Sequence, residues 1–218
     1  MWQTIRSSVF GRHSYDHGYA AIVISGGYEE AGDHGRLRVE AGDVVLHEGF
    51  EAHINRFSRS GSVLLNLDLP AEVNFVSGLA TVADPDVIVR LAERSREEAT
   101  RFLLSTLVPR EAKSTDWVDE LALDLIANPS LSLSRWSQRM GLTPWAVSRG
   151  FMQVFGLSPK SFRARARARA VNSCSYRRRP HEGCASYRKL TYGCLHDLVR
   201  VRTRKCPERL QRQTPTFT

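Results

Sequence analysis

The feature that most limits how this chain can fold is a change of hydrophobic period at Pro85. Upstream of it, short apolar runs are cut by turns. Tyr19-Ala20-Ala21-Ile22-Val23-Ile24-Ser25 stops at Gly26-Gly27, and Arg36-Leu37-Arg38-Val39 alternates and stops at Ala41-Gly42-Asp43. Val44 to His47 is another short strand, and Ser62 to Leu69 is the longest, closed by Pro70. Strands at that spacing with Gly-containing turns predict a small antiparallel barrel or sandwich. A helical reading fails there, because Gly and β-branched residues interrupt every 3.6-residue pattern. Downstream, Val87, Leu91, Arg94 and Glu98, followed by Phe102, Leu103 and Leu107, with charges between them, predict an amphipathic helix over 86–106. Its apolar face can pair two such domains into a homodimer or cover its own barrel. Pro109 ends it, and Arg110 to Thr115 reads as a polar linker and the domain boundary.

Charge divides along the same line. Residues 1–115 carry 12 Lys/Arg against 16 Asp/Glu, a net of −4. Residues 116–170 carry 8 against 4, a net of +4, and residues 171–218 carry 11 against 3, a net of +8. An acidic front and a basic back suggest that only the back half meets a polyanion; a solvated basic tail is the alternative. At 218 residues the chain can build one large or two small cores, and 42% hydrophobic with 25% charged residues excludes collagen-like and wholly disordered classes. No apolar run reaches the roughly 18 residues of a membrane span. Met1 to Arg6 lacks the apolar stretch of a secretory signal, so the expected location is cytoplasmic, with no membrane partner. The four cysteines, Cys174, Cys184, Cys194 and Cys206, form no Cys-x-x-Cys pair, which argues against a zinc ribbon and for free thiols.

Residues 116–170 carry most of the functional information. Trp117/Val118, Leu121/Ala122 and Leu125/Ile126 share one face of a first helix that Asn128-Pro129 ends. Ser132 caps a second, Leu133 to Met140, with Leu133, Trp136 and Met140 inward. Gly141 suits the turn, and Thr143-Pro144 supplies a cap and a first-position proline for a third helix, Pro144 to Phe155. That helix is expected to bury Val147, Phe151 and Val154 and to stop at Gly156. Two short helices on a Gly-containing turn form the unit that lays its second helix in the DNA major groove. The outward residues near its start are Trp145, Ala146, Ser148 and Arg149. Arg149 suits bidentate contact with guanine, Trp145 and Ala146 suit thymine methyls, and Ser148 can bond a base or phosphate. A fourth helix from Ser158-Pro159 carries Lys160, Arg163, Arg165, Arg167 and Arg169, better placed for phosphates. An ordinary helical bundle with a wet basic face is the competing reading.

The stretch Ser132-Leu133-Ser134-Arg135-Trp136-Ser137-Gln138-Arg139-Met140-Gly141-Leu142-Thr143-Pro144, followed by Val147-Ser148-Arg149-Gly150-Phe151, Phe155-Gly156-Leu157-Ser158-Pro159 and Phe162-Arg163, resembles the first helix-turn-helix of the AraC/XylS family of bacterial transcription regulators. The resemblance implies an α+β chain, with a cupin-like antiparallel β-barrel as sensor over 1–84 and the helix and linker over 85–115. An all-α helix-turn-helix DNA-binding domain over 116–170 completes it, and the irregular basic tail over 171–218 departs from the family. The resemblance implies double-stranded DNA as partner, base contacts by Trp145, Ala146, Ser148 and Arg149, and phosphate contacts by Thr143, Lys160, Arg163 and Arg167. Ser25 to Glu30 and Gly42 to His53 look like the two cupin turns. His17 and His53, with Glu29 or Glu30, are the remnants of a metal set, but the usual His-x-His pair is absent, so no metal or other cofactor is expected and His53 reads as a turn or pocket residue. The barrel's mouth leaves room for a small-molecule effector.

The second helix-turn-helix of that family is not visible beyond Val171. Tyr176 to Gly183 breaks any helix, and Val199-Arg200-Val201-Arg202 alternates like a strand. Reading one base later through degenerate codons allows Pro-Ser-Ala-Tyr over Pro207 to Gln211 and Met-Thr over His196 to Leu198, so a frameshifted second motif stands beside a divergent tail. A single recognition helix reads a short site, and phosphate attraction from residues 160–212 then weighs more heavily. A metal-dependent cupin enzyme and a non-specific nucleic-acid-binding remnant are the alternatives. No Gly-rich phosphate loop, Gly-x-Ser-x-Gly elbow or His-Glu-x-x-His run supports a hydrolase or a nucleotide-dependent enzyme.

Overall fold

Strands that are apolar on both faces need a covering on each, and that requirement organises the first half of the chain. The computed structural model describes residues 1–71, 73, 75–112 and 116–177, with side chains described as far as residue 169. The strands are β1 (Trp2–Ile5), β2 (Val9–Ser14), β3 (Tyr19–Gly32), β4 (Gly35–Glu40), β5 (Asp43–His47), β6 (Ala52–Asp68), β7 (Gly78–Thr81) and the two-residue β8 (Val108–Pro109). They form one antiparallel sheet in the order β1-β6-β3-β5-β7-β8, with β2 also on β6 and β4 also on β3. One face carries Ala20, Ile22, Val44, Leu46, Leu65 and Leu67, covered by Ile88, Ala99 and Leu103 of the helices that follow. The other carries Val23, Tyr28, Leu37, Val39, Val45, Phe57 and Leu64, which pack on one another.

The longest strands differ from the sequence reading. β3 does not stop at Gly26-Gly27, and β6 begins at Ala52 rather than Ser62. The two pair along their length, Ile22 opposite Leu65 and Gly32 opposite His53, with register shifts between Val23 and Ser25 and between Gly26 and Tyr28. Such bulges bend a strand pair without ending it. Gly26 (φ 77°) and Gly61 (φ 72°) lie in the left-handed region at this bend. A Cβ on Gly26 would collide with the Gly61 carbonyl, and one on Gly61 would lie 2.6 Å from the Ile5 oxygen. Close backbone approach, not a chain reversal, is what these glycines serve.

The helix expected over 86–106 is two, α1 (Pro85–Arg94) and α2 (Arg96–Thr106). Ser95 between them is extended (φ −153°, ψ 113°), and its hydroxyl accepts from the Glu98 N–H at 3.2 Å. It therefore closes one helix and caps the next. The apolar residues of both helices cover the chain's own sheet.

The helical region consists of α3 (Trp117–Ala127), α4 (Leu133–Arg139), α5 (Pro144–Phe155) and α6 (Pro159–Arg177). Asp116, Ser132 and Thr143 cap the first three, and Gly141 (φ 65°) and Gly156 (φ 68°) take the left-handed turns after α4 and α5. Val118, Leu121, Leu125, Trp136, Val147, Phe151, Phe155 and Phe162 form its core. Phe155, not Val154, is the fully buried residue of the last turn of α5. Helix α6 continues past Val171, where irregular chain was expected. Residues 159–177 contain no Gly or Pro after the first position, and alternating Ala and Arg favour the helix.

Met1–Ala166 form one compact unit, and Arg167 begins a second. No helix among the described residues is long and apolar enough to cross a membrane. The expectation for free thiols rests on side chains beyond residue 169 and that for a shifted-frame second motif on residues beyond 177, so both lie outside what is described.

Candidate functional site

Strand parity turns a set of polar side chains to the inner face at one end of the sheet. Tyr19 shares its face of β3 with Val23, Glu30 with Tyr28, His47 with Val45 on β5, and His53 with Phe57 on β6; the apolar member of each pair belongs to the inner cluster. Cross-strand pairing then joins the polar members. Tyr19 sits opposite His47, their rings stacked at 4.5 Å, and His13 sits opposite His53, also at 4.5 Å. The His47 and His53 rings are 4.5 Å apart. His47 Nε2 lies 3.5 Å from Glu30 Oε2, and its Nδ1 lies 3.9 Å from Glu51 Oε1. The Tyr19 hydroxyl is 3.3 Å from His53 Nε2. Glu51 also accepts from the Glu48 N–H at 3.1 Å and lies 3.6 Å from His34.

Burial sets the electrostatics. Glu30, His47 and His53 are 2%, 1% and 0% exposed. Desolvation pushes the Glu30 carboxyl up to about 7, although His47 opposes the shift. Desolvation also works against the His47 imidazolium, but Glu30 and Glu51 outweigh it and raise the group. Burial opposes ionisation of Glu51 too, and His47 and His34 outweigh that to hold it at about 2. Desolvation, with His47 and His13 adding positive charge nearby, drives His53 down to about 2, so it is neutral at pH 7. Among the described residues, Glu30 Oε2, both His47 nitrogens and His53 Nδ1 are buried without a hydrogen-bond partner. Leaving such a group unsatisfied costs roughly 1–3 kcal/mol.

Ligand atoms of Glu30, His47 and His53 all lie within 4.8 Å of one another. Only part of this set was legible in the sequence. His17, named there beside His53, precedes the start of β3, and its side chain is 53% exposed between Asp16 (2.8 Å) and Asp68 (3.5 Å). It is not part of the cluster. Parity separates the two glutamates: Glu30 points in, while Glu29 lies 3.6–3.7 Å from Arg56, Arg36 and Arg38. His53, read as a turn or pocket residue, is a buried strand residue. His47, Glu51 and Tyr19 were missed, although His47 shares the parity of Val45.

The second feature is the start of α5. Thr143 is exposed, and its hydroxyl accepts from the Ala146 N–H at 3.1 Å. Trp145 (66% exposed), Ser148 and Arg149 face solvent, and Ala146 is half-buried. The Arg149 guanidinium rests 4.9 Å over the Trp145 ring, so the two present one cationic, aromatic surface. Lys160 and Arg167 are exposed, whereas half-buried Arg163 donates to the Leu131 carbonyl at 3.2 Å.

Opposite ends of α5 are treated differently. Its last turn contains no basic residue, yet two arginines of the sheet supply one. Arg12 donates to the Phe155 carbonyl at 3.1 Å, and Arg56 donates to that of Gln153, both complementing the negative end of the helix. Arg12 and Arg165 meet on buried Asp33, Arg165 through two hydrogen bonds of 2.6 and 2.9 Å. Asp33 also accepts from the Ala52 N–H, next to His53. A second clamp joins Arg36 to Asp119 (2.7 and 2.9 Å) and Asp116 (2.6 Å) at the start of α3, and Ala31 and Ile54 pack into the helical core.

No family model and no curated protein matches the sequence. Solved structures do show likenesses. The salicylate 1,2-dioxygenase of Pseudoaminobacter salicylatoxidans is similar at 15% identity and TM-score 0.28, over 30% of this chain and 20% of that one, so the chain spans about a fifth of that enzyme's length. A cupin protein from Bacteroides fragilis is similar at 11% identity and TM-score 0.28, over 34% and 69%. The AraC-like transcriptional activator CuxR is similar at 13% identity and TM-score 0.36, over 78% of this chain and 75% of that one. Function therefore rests on the residues themselves.

Proposed function

We propose that the protein is a DNA-binding transcription regulator in which α4 and α5 act as a helix-turn-helix and the sheet serves as a cupin-like sensor. One observation carries this reading: Trp145, Ser148 and Arg149 are all exposed on the first turns of a helix whose other side, Val147, Phe151 and Phe155, is buried. A helix packed along one side and bare at its N-terminal end is what major-groove reading requires. Arg149, held over Trp145, has the planar fork that pairs with guanine O6 and N7, while Trp145 and Ala146 offer apolar surface to thymine methyls. Ser148 bonds a base or a phosphate. Thr143, Lys160, Arg163 and Arg167 serve phosphates, which fix register without reading sequence. Arg12 and Arg56 give the sensing part a grip on the far end of the reading helix.

Selection from a random duplex pool tests the proposal. The full chain enriches a short motif, and R149A, with an unchanged thermal midpoint, enriches none or loses one position of it. Recovery of the same motif with R149A contradicts the reading.

A further inference from the structure

We infer that Trp117 is a positioning residue for the reading helix: its indole is seated on the bare backbone of Gly150 and fixes how α5 presents Arg149. The observation behind it is a glycine in the middle of a helix. Gly150 is the seventh of the twelve residues of α5, where glycine is a poorer helix former than alanine. The three atoms nearest to a Cβ built at that position all belong to the Trp117 indole, Cη2 and Cζ2 at 2.7 Å and Cε2 at 4.0 Å. A side chain at 150 would therefore drive α3 and α5 apart or turn the indole out. The indole is itself held. Trp117 opens α3, its ring lies 6.3 Å from that of Trp136, and Trp136 donates through Nε1 to Asp124 at 2.7 Å. Asp116, the residue before it, and Asp119 are the pair that Arg36 of the sheet grips. On α5 the contact adjoins the proposed reading surface, because Arg149 directly precedes Gly150 and Ala146 lies one turn earlier on the same side. A binding constellation must be held within about 0.5 Å of its place, so a shift of α5 by that much costs discrimination before it costs folding.

The inference rests on the DNA-binding reading of α5, and the test keeps the two apart. The full chain is compared with G150A, W117F and the double variant by fluorescence anisotropy, well below each thermal midpoint. The duplexes are one selected by the unsubstituted chain and a scrambled one. G150A is expected to lower the cognate-to-scrambled affinity ratio about fivefold or more while the scrambled duplex binds as before. W117F, which lacks Cζ2 and Cη2, should lower the ratio about threefold. The two changes relieve each other, so the double variant should return the ratio to within about twofold of the original. V118A trims the buried residue beside Trp117 and isolates lost packing: its thermal midpoint falls and its ratio stays. A ratio unmoved by both G150A and W117F in folded protein, a double variant worse than either single one, or an equal loss of ratio in V118A would each overturn the positioning role. No preference between the duplexes in the unsubstituted chain would instead defeat the DNA-binding reading, and the positioning role with it.

Discussion

The inner end of the sheet and the start of α5 treat polar side chains in opposite ways. Glu30, His47 and His53 are buried with orphaned atoms, whereas Trp145, Ser148 and Arg149 stand in solvent on a helix whose folding depends on other residues. Polar atoms buried without hydrogen bonds weaken the fold, even where an ion pair stands nearby. Exposed groups without structural duties can change at little cost to stability. The contrast yields tests at both places and at the junction between them.

The largest effect is expected at that junction. D33A leaves Arg12 and Arg165 facing each other without their shared carboxylate and frees the Ala52 N–H. Removing one partner of a buried ion pair costs about 3–5 kcal/mol, and chemical denaturation should find a loss at the lower end, because Arg165 is 41% exposed. An unchanged denaturation midpoint would mean that the Arg36 clamp and the packing of Ala31 and Ile54 hold the helical region without Asp33.

Next comes the inner cluster itself. Replacing both members of the Glu30–His47 pair, as in E30M with H47L, should leave the protein at least as stable as before, with a gain of up to about 4 kcal/mol. A pronounced drop in thermal midpoint would break the contrast and mark the cluster as structural. Glu51 gives a smaller, pH-dependent signal. Its carboxyl is held at about 2 against an ordinary 4.5, so its contribution is complete above about pH 4.5 and is lost as pH falls toward 2. Thermal midpoints should fall across that window, and E51Q should flatten the fall; parallel curves for the two proteins would contradict this. On α5 the effects are smallest. T143A removes the cap on the Ala146 N–H and should cost about 1 kcal/mol, whereas S148A should change stability by less than about 0.5 kcal/mol.

The same contrast explains what the sequence revealed. Helix ends are written in local chemistry: Ser132, Thr143-Pro144 and Gly156 each mark a boundary of α4 or α5 within a residue or two of its place. The side of α5 that faces out follows from its spacing alone. Cross-strand meetings are not local. Glu30, His47 and His53 come together only after β3 has paired with β5 and β6, and no pattern within one strand names its neighbours. The bend at Gly26 and Gly61 is likewise a tertiary approach, which is why Gly26-Gly27 read as an end. The link from Arg165 to Asp33 joins residues 132 positions apart, and neither neighbourhood hints at the other.

The claim that α5 reads base edges is tested most directly by fluorescence anisotropy with the selected duplex and a scrambled one of equal composition, each at two salt concentrations. R149A should lower the cognate-to-scrambled affinity ratio by the equivalent of about 1–3 kcal/mol, while K160A should weaken both duplexes alike and reduce the salt slope by about 1. If R149A loses affinity equally for both duplexes, or leaves the ratio untouched, the exposed face of α5 does not read sequence and the account fails at its centre.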